Sequence, residues 1–219
     1  MELNIDEALR YLGAGRQAPP ELRREAEDTA RRLTARLRPR YTYRVSSLER
    51  RDGVLCLPEA DLILPGKDAE TMLADCGRVA LLGCTLGAEF ESMLRAEQAR
   101  DMAKAVLLDA CGSAWVESGC DEAEREIAAR FPGQYLTDRF SPGYGDLPLS
   151  IQPAICGALD LGRRLGVHVS ERFLMNPTKS VTALIGIADR PQMARIRGCA
   201  YCTMRETCML CKGGKHCGN

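Results

Sequence analysis

Arg139, Gly143 and Tyr144 sit within the run Arg139-Phe-Ser-Pro-Gly-Tyr144, which continues as Gly145-Asp146-Leu147-Pro148. Together they bring a fixed cation, a glycine-loosened backbone and an aromatic ring, the parts that hold a small molecule with a carboxylate and a flat ring. The Arg139 guanidinium is a planar fork of donors that fits a carboxylate. Gly143 and Gly145 let the backbone come close to a ligand. Tyr144 offers a face for stacking or for a cationic group, plus one polar tip. The same residues also make an ordinary Pro-Gly turn between helices with Arg139 a solvated charge, and on spacing alone that reading is favoured. Asp146 reads first as a turn residue or the cap of a helix starting near Leu149, and second as a partner for a cationic group.

A second segment, Met175-Asn-Pro-Thr-Lys-Ser180-Val181, follows downstream. From Ser180 to Ile187 the chain is short, apolar and partly β-branched, which predicts a buried strand. Met175 reads as a packing residue and Pro177 as a turn residue.

The elements that must position these two segments are mixed. A helix over Ile5 to Leu12 has Asn4 as its cap and Gly13 as its stop. After Pro19-Pro20, residues Leu22, Ala26, Ala30, Leu33 and Leu37 recur at helical spacing. Tyr41 to Val45 alternates like a strand, Arg51-Asp52-Gly53 turns into a second strand at Val54 to Leu57, and Leu62 to Leu64 is a third. A helix over Asp68 to Asp75 leads into Val79 to Leu82, the expected central strand. Helices over Leu86 to Glu97 and Asp101 to Arg130 come next, and one over Ile151 to Leu165 separates the two segments. Strands mingled with helices in no strict alternation predict an α+β fold.

The pattern Arg-x-x-x-Gly-Tyr followed by Met-x-Pro-x-x-Ser-Val resembles the S-adenosylmethionine-binding activation domain of cobalamin-dependent methionine synthase, over about residues 4–189. The resemblance implies helices around a twisted, largely antiparallel sheet. It implies that Arg139 and the Gly143-Tyr144 backbone hold S-adenosylmethionine. It also implies a contact from an acid on the preceding helix, which by position is most similar to Glu117, with Glu122 and Glu124 nearby. Ser180 lies on the strand that forms one wall of the family's binding region, so the resemblance makes it a ligand contact. Lys179 and Thr182-Ala183 depart from the methionine synthase form.

Composition sets outer limits. At 219 residues the chain is long enough for one sizeable domain, or one domain plus an appendage. Its 30 basic and 30 acidic side chains cancel, which argues against a nucleic-acid partner. No apolar run approaches the roughly 20 residues needed to cross a bilayer. The acidic start, Met1-Glu-Leu-Asn-Ile-Asp-Glu, carries no signal-peptide pattern, so no membrane association is expected and the expected location is cytoplasmic.

Eleven cysteines in such a chain are not expected to form a disulfide framework. Cys56, Cys76, Cys84, Cys111, Cys120 and Cys156 lie in apolar or helical segments and read as small buried hydrophobes. The others crowd together as Cys199-x2-Cys202-x5-Cys208-x2-Cys211-x5-Cys217, in a stretch without the apolar residues to bury them. Two Cys-x-x-Cys pairs put four thiolates within reach of one soft metal, an iron-sulfur cluster or tetrahedral zinc. The spacing matches neither a zinc ribbon nor the bacterial ferredoxin run. Cys199, Cys202, Cys208 and Cys211 are the expected ligands, with Cys217 as a spare. The expected organisation is an activation-like domain over 1–190 and a cysteine-rich, metal-binding tail over 191–219.

Other chemistries find little support. His168 and His216 belong to no His-Glu-x-x-His pattern, no Walker A loop occurs, and Gly143-x-Gly145 lacks the third glycine of a dinucleotide fingerprint. The Cys-x3-Cys-x2-Cys triplet of radical S-adenosylmethionine enzymes is absent, as is the Asp-x-His-x-x-Gly segment of proteins that carry cobalamin through histidine. Any cobalamin must therefore come on a partner.

The resemblance implies a stand-alone reactivation protein acting on a cobalamin-binding methionine synthase or another corrinoid protein. A flavodoxin- or ferredoxin-type protein would serve as low-potential electron donor. The tail has no counterpart in the family domain, and a cluster is favoured over zinc there because it would place electrons near the corrinoid. Two other readings stand beside this one: an iron-sulfur corrinoid-activating reductase that does not bind S-adenosylmethionine, and a non-catalytic regulatory module with structural zinc.

Overall fold

The computed structural model describes residues 1–14 and 17–192. Cys199, Cys202, Cys208, Cys211, Cys217 and His216 lie outside the described residues, and with them the expected metal site.

In chain order the helices and strands are α1 (Ile5–Tyr11), α2 (Pro20–Arg36), β1 (Arg40–Ser47), β2 (Glu49–Arg51), β3 (Val54–Leu57), β4 (Leu62–Leu64), α3 (Lys67–Met72), β5 (Cys76–Thr85), α4 (Gly87–Gln98), α5 (Met102–Arg130), β6 (Tyr135–Leu136), α6 (Gln152–Ala158), α7 (Leu161–Leu165), β7 (His168–Val169), β8 (Met175–Asn176) and β9 (Ser180–Ala188). This is an α+β fold of helices with a largely antiparallel sheet. The four-stranded sheet has the order β1-β5-β9-β6. Its member β5 is an inner strand, as Val79 to Leu82 predict, and those four side chains are completely buried. Each buried leucine there contributes about 1.5–3 kcal/mol.

The chain divides into two compact units. Among the described residues, the first comprises Met1–Thr42, Gly83–Arg125 and Asp160–Val181; the second comprises Tyr43–Leu82, Glu126–Leu159 and 182–192.

In the first unit α1 begins as its sequence dictates, with the Asn4 side-chain oxygen accepting from the Glu7 N–H at 3.1 Å. Pro20 opens α2, where its missing N–H costs nothing. The apolar stripe of α2 buries Ala26, Ala30 and Leu33, and Leu9, Ala26 and Leu107 form one core cluster. Helix α5 is buried on most of its circumference between Leu107 and Cys120, and the side chains left partly open are Asp109, Ser113 and Glu117. Spaced by four, they form one polar stripe. On another side of α5 the Phe90 ring lies against Gly112, where a Cβ would come within 2.2 Å of it. The buried Trp115 indole N–H donates to the Leu37 carbonyl at 2.9 Å.

In the second unit β2, β3 and β4 form an antiparallel meander, with Arg51 opposite Val54 and Leu57 opposite Leu62. The β2–β3 turn needs positive φ at both central residues, and Asp52 (φ 50) and Gly53 (φ 78) supply it. The strand paired with β3 is thus Glu49–Arg51, which the sequence alone does not separate from β1. Strand β6 pairs antiparallel with β9, setting Tyr135 opposite Ala188 and Leu136 opposite Ile187. The Gln152 amide donates to the buried Thr182 hydroxyl at 2.6 Å and so ties α6 to β9.

The single helix expected over Ile151 to Leu165 is instead α6 and α7, broken at Asp160, which takes a left-handed conformation (φ 52, ψ 44). Aspartate tolerates that region because its short polar side chain bonds locally. Here the Asp160 carboxylate accepts from the Arg163 Nε–H at 2.5 Å.

Candidate functional site

The Arg139–Tyr144 run belongs to the second unit and is fixed at its start by β9. Phe140 is buried and forms an antiparallel bridge with Leu184, its N–H donating at 3.0 Å and its carbonyl accepting at 2.8 Å. Arg139, just before that bridge, is half-buried. The chain then turns: the Tyr144 N–H donates to the Ser141 carbonyl (3.1 Å), the Gly143 N–H to the Leu147 carbonyl (2.8 Å), and the Leu147 N–H to the Tyr144 carbonyl (3.1 Å). Gly143 has φ 86, a conformation that disfavours any side chain. Tyr144 is 42% exposed, and its ring meets Phe140 edge-on at 6.4 Å and 81°. A buried residue thus packs against the ring of a partly exposed tyrosine. A Cβ at Gly143 would meet Leu149 Cδ1 at 3.5 Å, an ordinary van der Waals contact, so it is the positive φ and not crowding that calls for glycine there.

Asp146 is a cap, but of a different helix from the one expected. Its Oδ2 accepts from the Lys67 N–H at 2.7 Å and its Oδ1 from the Asp68 N–H at 3.1 Å, at the start of α3. Helix α3 has Gly66 at its N-cap and no local side-chain cap. The 3₁₀ turn at Leu149–Ile151 has no side-chain cap.

Glu117 and Ser180 belong to the first unit, and there the Met175–Val181 segment is bound to α4, α5 and β5. Thr178 donates to Glu91 through its N–H (2.5 Å) and its hydroxyl (2.8 Å). The Lys179 ammonium donates to Asp109 Oδ2 at 2.9 Å and to Ser113 Oγ at 2.8 Å. Glu117 is the next member of that stripe, so the segment and the face of α5 that carries Glu117 lie side by side. The Ser180 hydroxyl donates to the Pro177 carbonyl at 2.7 Å and shares a 2.8 Å hydrogen bond with the Thr85 hydroxyl. Burial, then the charges of Glu117 and Glu7, push the Tyr11 phenol well above its ordinary range, which places Tyr11 in the field of Glu117. The Arg10 guanidinium lies 4.8 Å from the centroid of the Tyr11 ring.

Arg139, Gly143 and Tyr144 therefore share one turn, and Glu117 and Ser180 lie on adjoining elements of the other unit. Asp68 and Tyr11 escape a reading of the sequence. Asp68 lies 78 residues from Asp146, and Tyr11 closes a short helix with no marker of its neighbour on α5. Among the described residues no group of three or more His, Cys, Asp or Glu side chains is placed to hold a metal ion. Among the described residues no helix is long and apolar enough to cross a membrane.

No family model matches this sequence, and no curated protein matches it. Thirteen solved chains do. One, the MetH reactivation domain bound to AdoHcy, superposes with a TM-score of 0.59 at 17% identity. The match covers 79% of this chain and 66% of that one, so the chain spans slightly less than two thirds of the neighbour's length. The fold is thus similar to that of a methionine synthase reactivation domain.

Proposed function

We propose that this protein reactivates a cobalamin-dependent methyltransferase, a methionine synthase or another corrinoid protein, by binding S-adenosylmethionine and presenting its methyl group to the partner's cobalt. The observation that carries this reading is the turn at Arg139–Tyr144, pinned by Phe140 and with Tyr144 exposed, on a fold similar to that of the reactivation domain.

The turn fits the donor's chemistry. Arg139 holds the carboxylate through paired, charge-assisted hydrogen bonds. The exposed Tyr144 ring takes a flat ring or the cationic centre. Gly143, having no side chain, lets a ligand come close to the backbone. Glu117 and Ser180 are donor contacts by resemblance. One electron from a flavodoxin- or ferredoxin-type donor takes Co(II) to Co(I). The Co(I) electron pair then forms the cobalt–methyl bond as the sulfur–methyl bond breaks, leaving S-adenosylhomocysteine. The protein's work is to hold and orient, and no side chain acts as acid, base or nucleophile. The tail cysteines Cys199, Cys202, Cys208 and Cys211, with Cys217 in reserve, hold an iron-sulfur cluster, or zinc in its place, and the protein works in the cytoplasm.

Anaerobic mixing of the protein, S-adenosylmethionine, a low-potential reductant and a Co(II) corrinoid protein tests this. The expected result is the methyl-cobalt absorption spectrum, dependent on this protein. Its absence across methionine synthases and other corrinoid proteins contradicts the proposal.

A further inference from the structure

Both ends of the turn that carries Tyr144 are anchored within the second unit. The Phe140–Leu184 bridge holds its start. Its end is held by two aspartates that cap each other's backbone. The Asp146 carboxylate accepts from the Lys67 and Asp68 N–H groups (2.7 and 3.1 Å), and Asp68 Oδ2 accepts in return from the Asp146 N–H at 3.1 Å. The arrangement needs two glycines. A Cβ on Gly66 would lie 2.4 Å from Asp146 Oδ1, and one on Gly145 would lie 2.2 Å from Asp68 Oδ2. Each carboxylate therefore occupies the space that a side chain on the opposite strand of the chain would fill. Two N–H groups at the start of α3, which no local residue caps, are satisfied by the residue two positions after Tyr144.

We propose that Asp68 and Asp146 are a reciprocal positioning pair that sets the Arg139–Tyr144 turn for its ligand. This rests on the reading of that turn as the S-adenosylmethionine site. Neither carboxylate need touch the donor. The clamp fixes the backbone from Gly145 to Leu147, and the Gly143 N–H closes onto the Leu147 carbonyl, so the direction of the Tyr144 ring follows from it.

The two carboxylates differ in a way that makes the proposal testable. Asp146 uses both oxygens as acceptors, whereas Asp68 uses only Oδ2 toward Asp146. An asparagine keeps one acceptor and turns the other into a donor. Asp68→Asn should thus preserve the bond to the Asp146 N–H, while Asp146→Asn must set an amide N–H against a backbone N–H.

The experiment measures S-adenosylhomocysteine affinity by calorimetry and amide exchange at Gly143 and Leu147 by NMR, in wild type, Asp68→Ala, Asp68→Asn and Asp146→Asn. Affinity is expected to fall and exchange to quicken, each by about tenfold, the worth of one lost hydrogen bond of this kind, in Asp68→Ala and Asp146→Asn. Asp68→Asn is expected to recover both. If the three variants behave alike, or if none changes exchange at Gly143 and Leu147, the pair does not position the turn. If wild type binds no ligand, the reading of the site fails, and exchange still decides whether the clamp orders the turn.

Discussion

The Lys179 ammonium stands 2.9 Å from Asp109 Oδ2, across 70 residues of sequence, and ties the Met175–Val181 segment to α5. The Lys179 side chain is only 16% exposed, against 47% for Asp109. The same ammonium reaches Ser113, one turn before Glu117 on the same stripe.

Lys179→Met should therefore loosen this segment. Asp109, half in water, regains solvent when its partner is lost, so the cost is expected to be about 1 kcal/mol, below the usual worth of hydrogen bonds to a charged group. A lower urea midpoint at unchanged slope would agree, and an unchanged midpoint would not.

Gly112→Ala tests the packing of α5 on α4. The new methyl would sit 2.2 Å from the Phe90 ring, which is fully buried. Overpacking of this kind costs about 1–3 kcal/mol. Combining it with Phe90→Leu should give a double mutant less destabilised than the sum of the single changes, whereas strict additivity would count against the contact.

Glu59 makes a stability contribution that depends on pH. Its carboxylate accepts from the Ser46 hydroxyl (2.5 Å), the Ser47 N–H (3.0 Å) and the Ser47 hydroxyl (3.0 Å). The Ser46 bond is the first cause of a pKa lowered from 4.5 to about 2, followed by bonds from Glu59's own backbone and from Ser47. A depressed carboxylate stabilises the fold fully above the unfolded value of 4.5 and loses that contribution as pH falls toward about 2. The gap in urea midpoint between wild type and Glu59→Gln should be widest near neutral pH and narrow through that window. A gap constant with pH would contradict this.

Burial decides which of the described cysteines react. Cys76, Cys84, Cys111, Cys120 and Cys156 are buried and Cys56 is partly open. Burial also pushes the Cys111 thiol up to about 11, so little of it is thiolate in mild alkali. Peptide mapping after brief alkylation of the native protein should find Cys56 modified first among these described cysteines, and Cys111 only after denaturation. Early labelling of Cys111 would show that α2 and α5 part readily.

What the sequence revealed was mostly local. The Asn4 cap, the Asp52-Gly53 turn and the apolar runs at Val79 and Ser180 each carry their cause within a few residues, and each appears in the structure as expected. The break at Asp160 was hidden because the apolar spacing of Ile151, Ile155 and Leu159 continues up to it. The target of Asp146 was hidden for a different reason: it caps α3 from 78 residues away, and local spacing suggests only the nearer helix. In the candidate site the residue types in the Arg139–Tyr144 turn were legible. The anchors that fix it, Leu184 and Asp68, are products of tertiary folding.

The central claim is that the Arg139 guanidinium grips the carboxylate end of the methyl donor. It is tested most directly by calorimetric titration of wild type, Arg139→Ala and Arg139→Lys with S-adenosylhomocysteine. Saturable one-to-one binding is expected for wild type, with a loss of about 10- to 100-fold in the alanine variant, the worth of hydrogen bonds to a charged group. Lysine is expected to recover little, because it lacks the planar fork. Equal affinity in all three proteins, or no binding by wild type, would contradict the account.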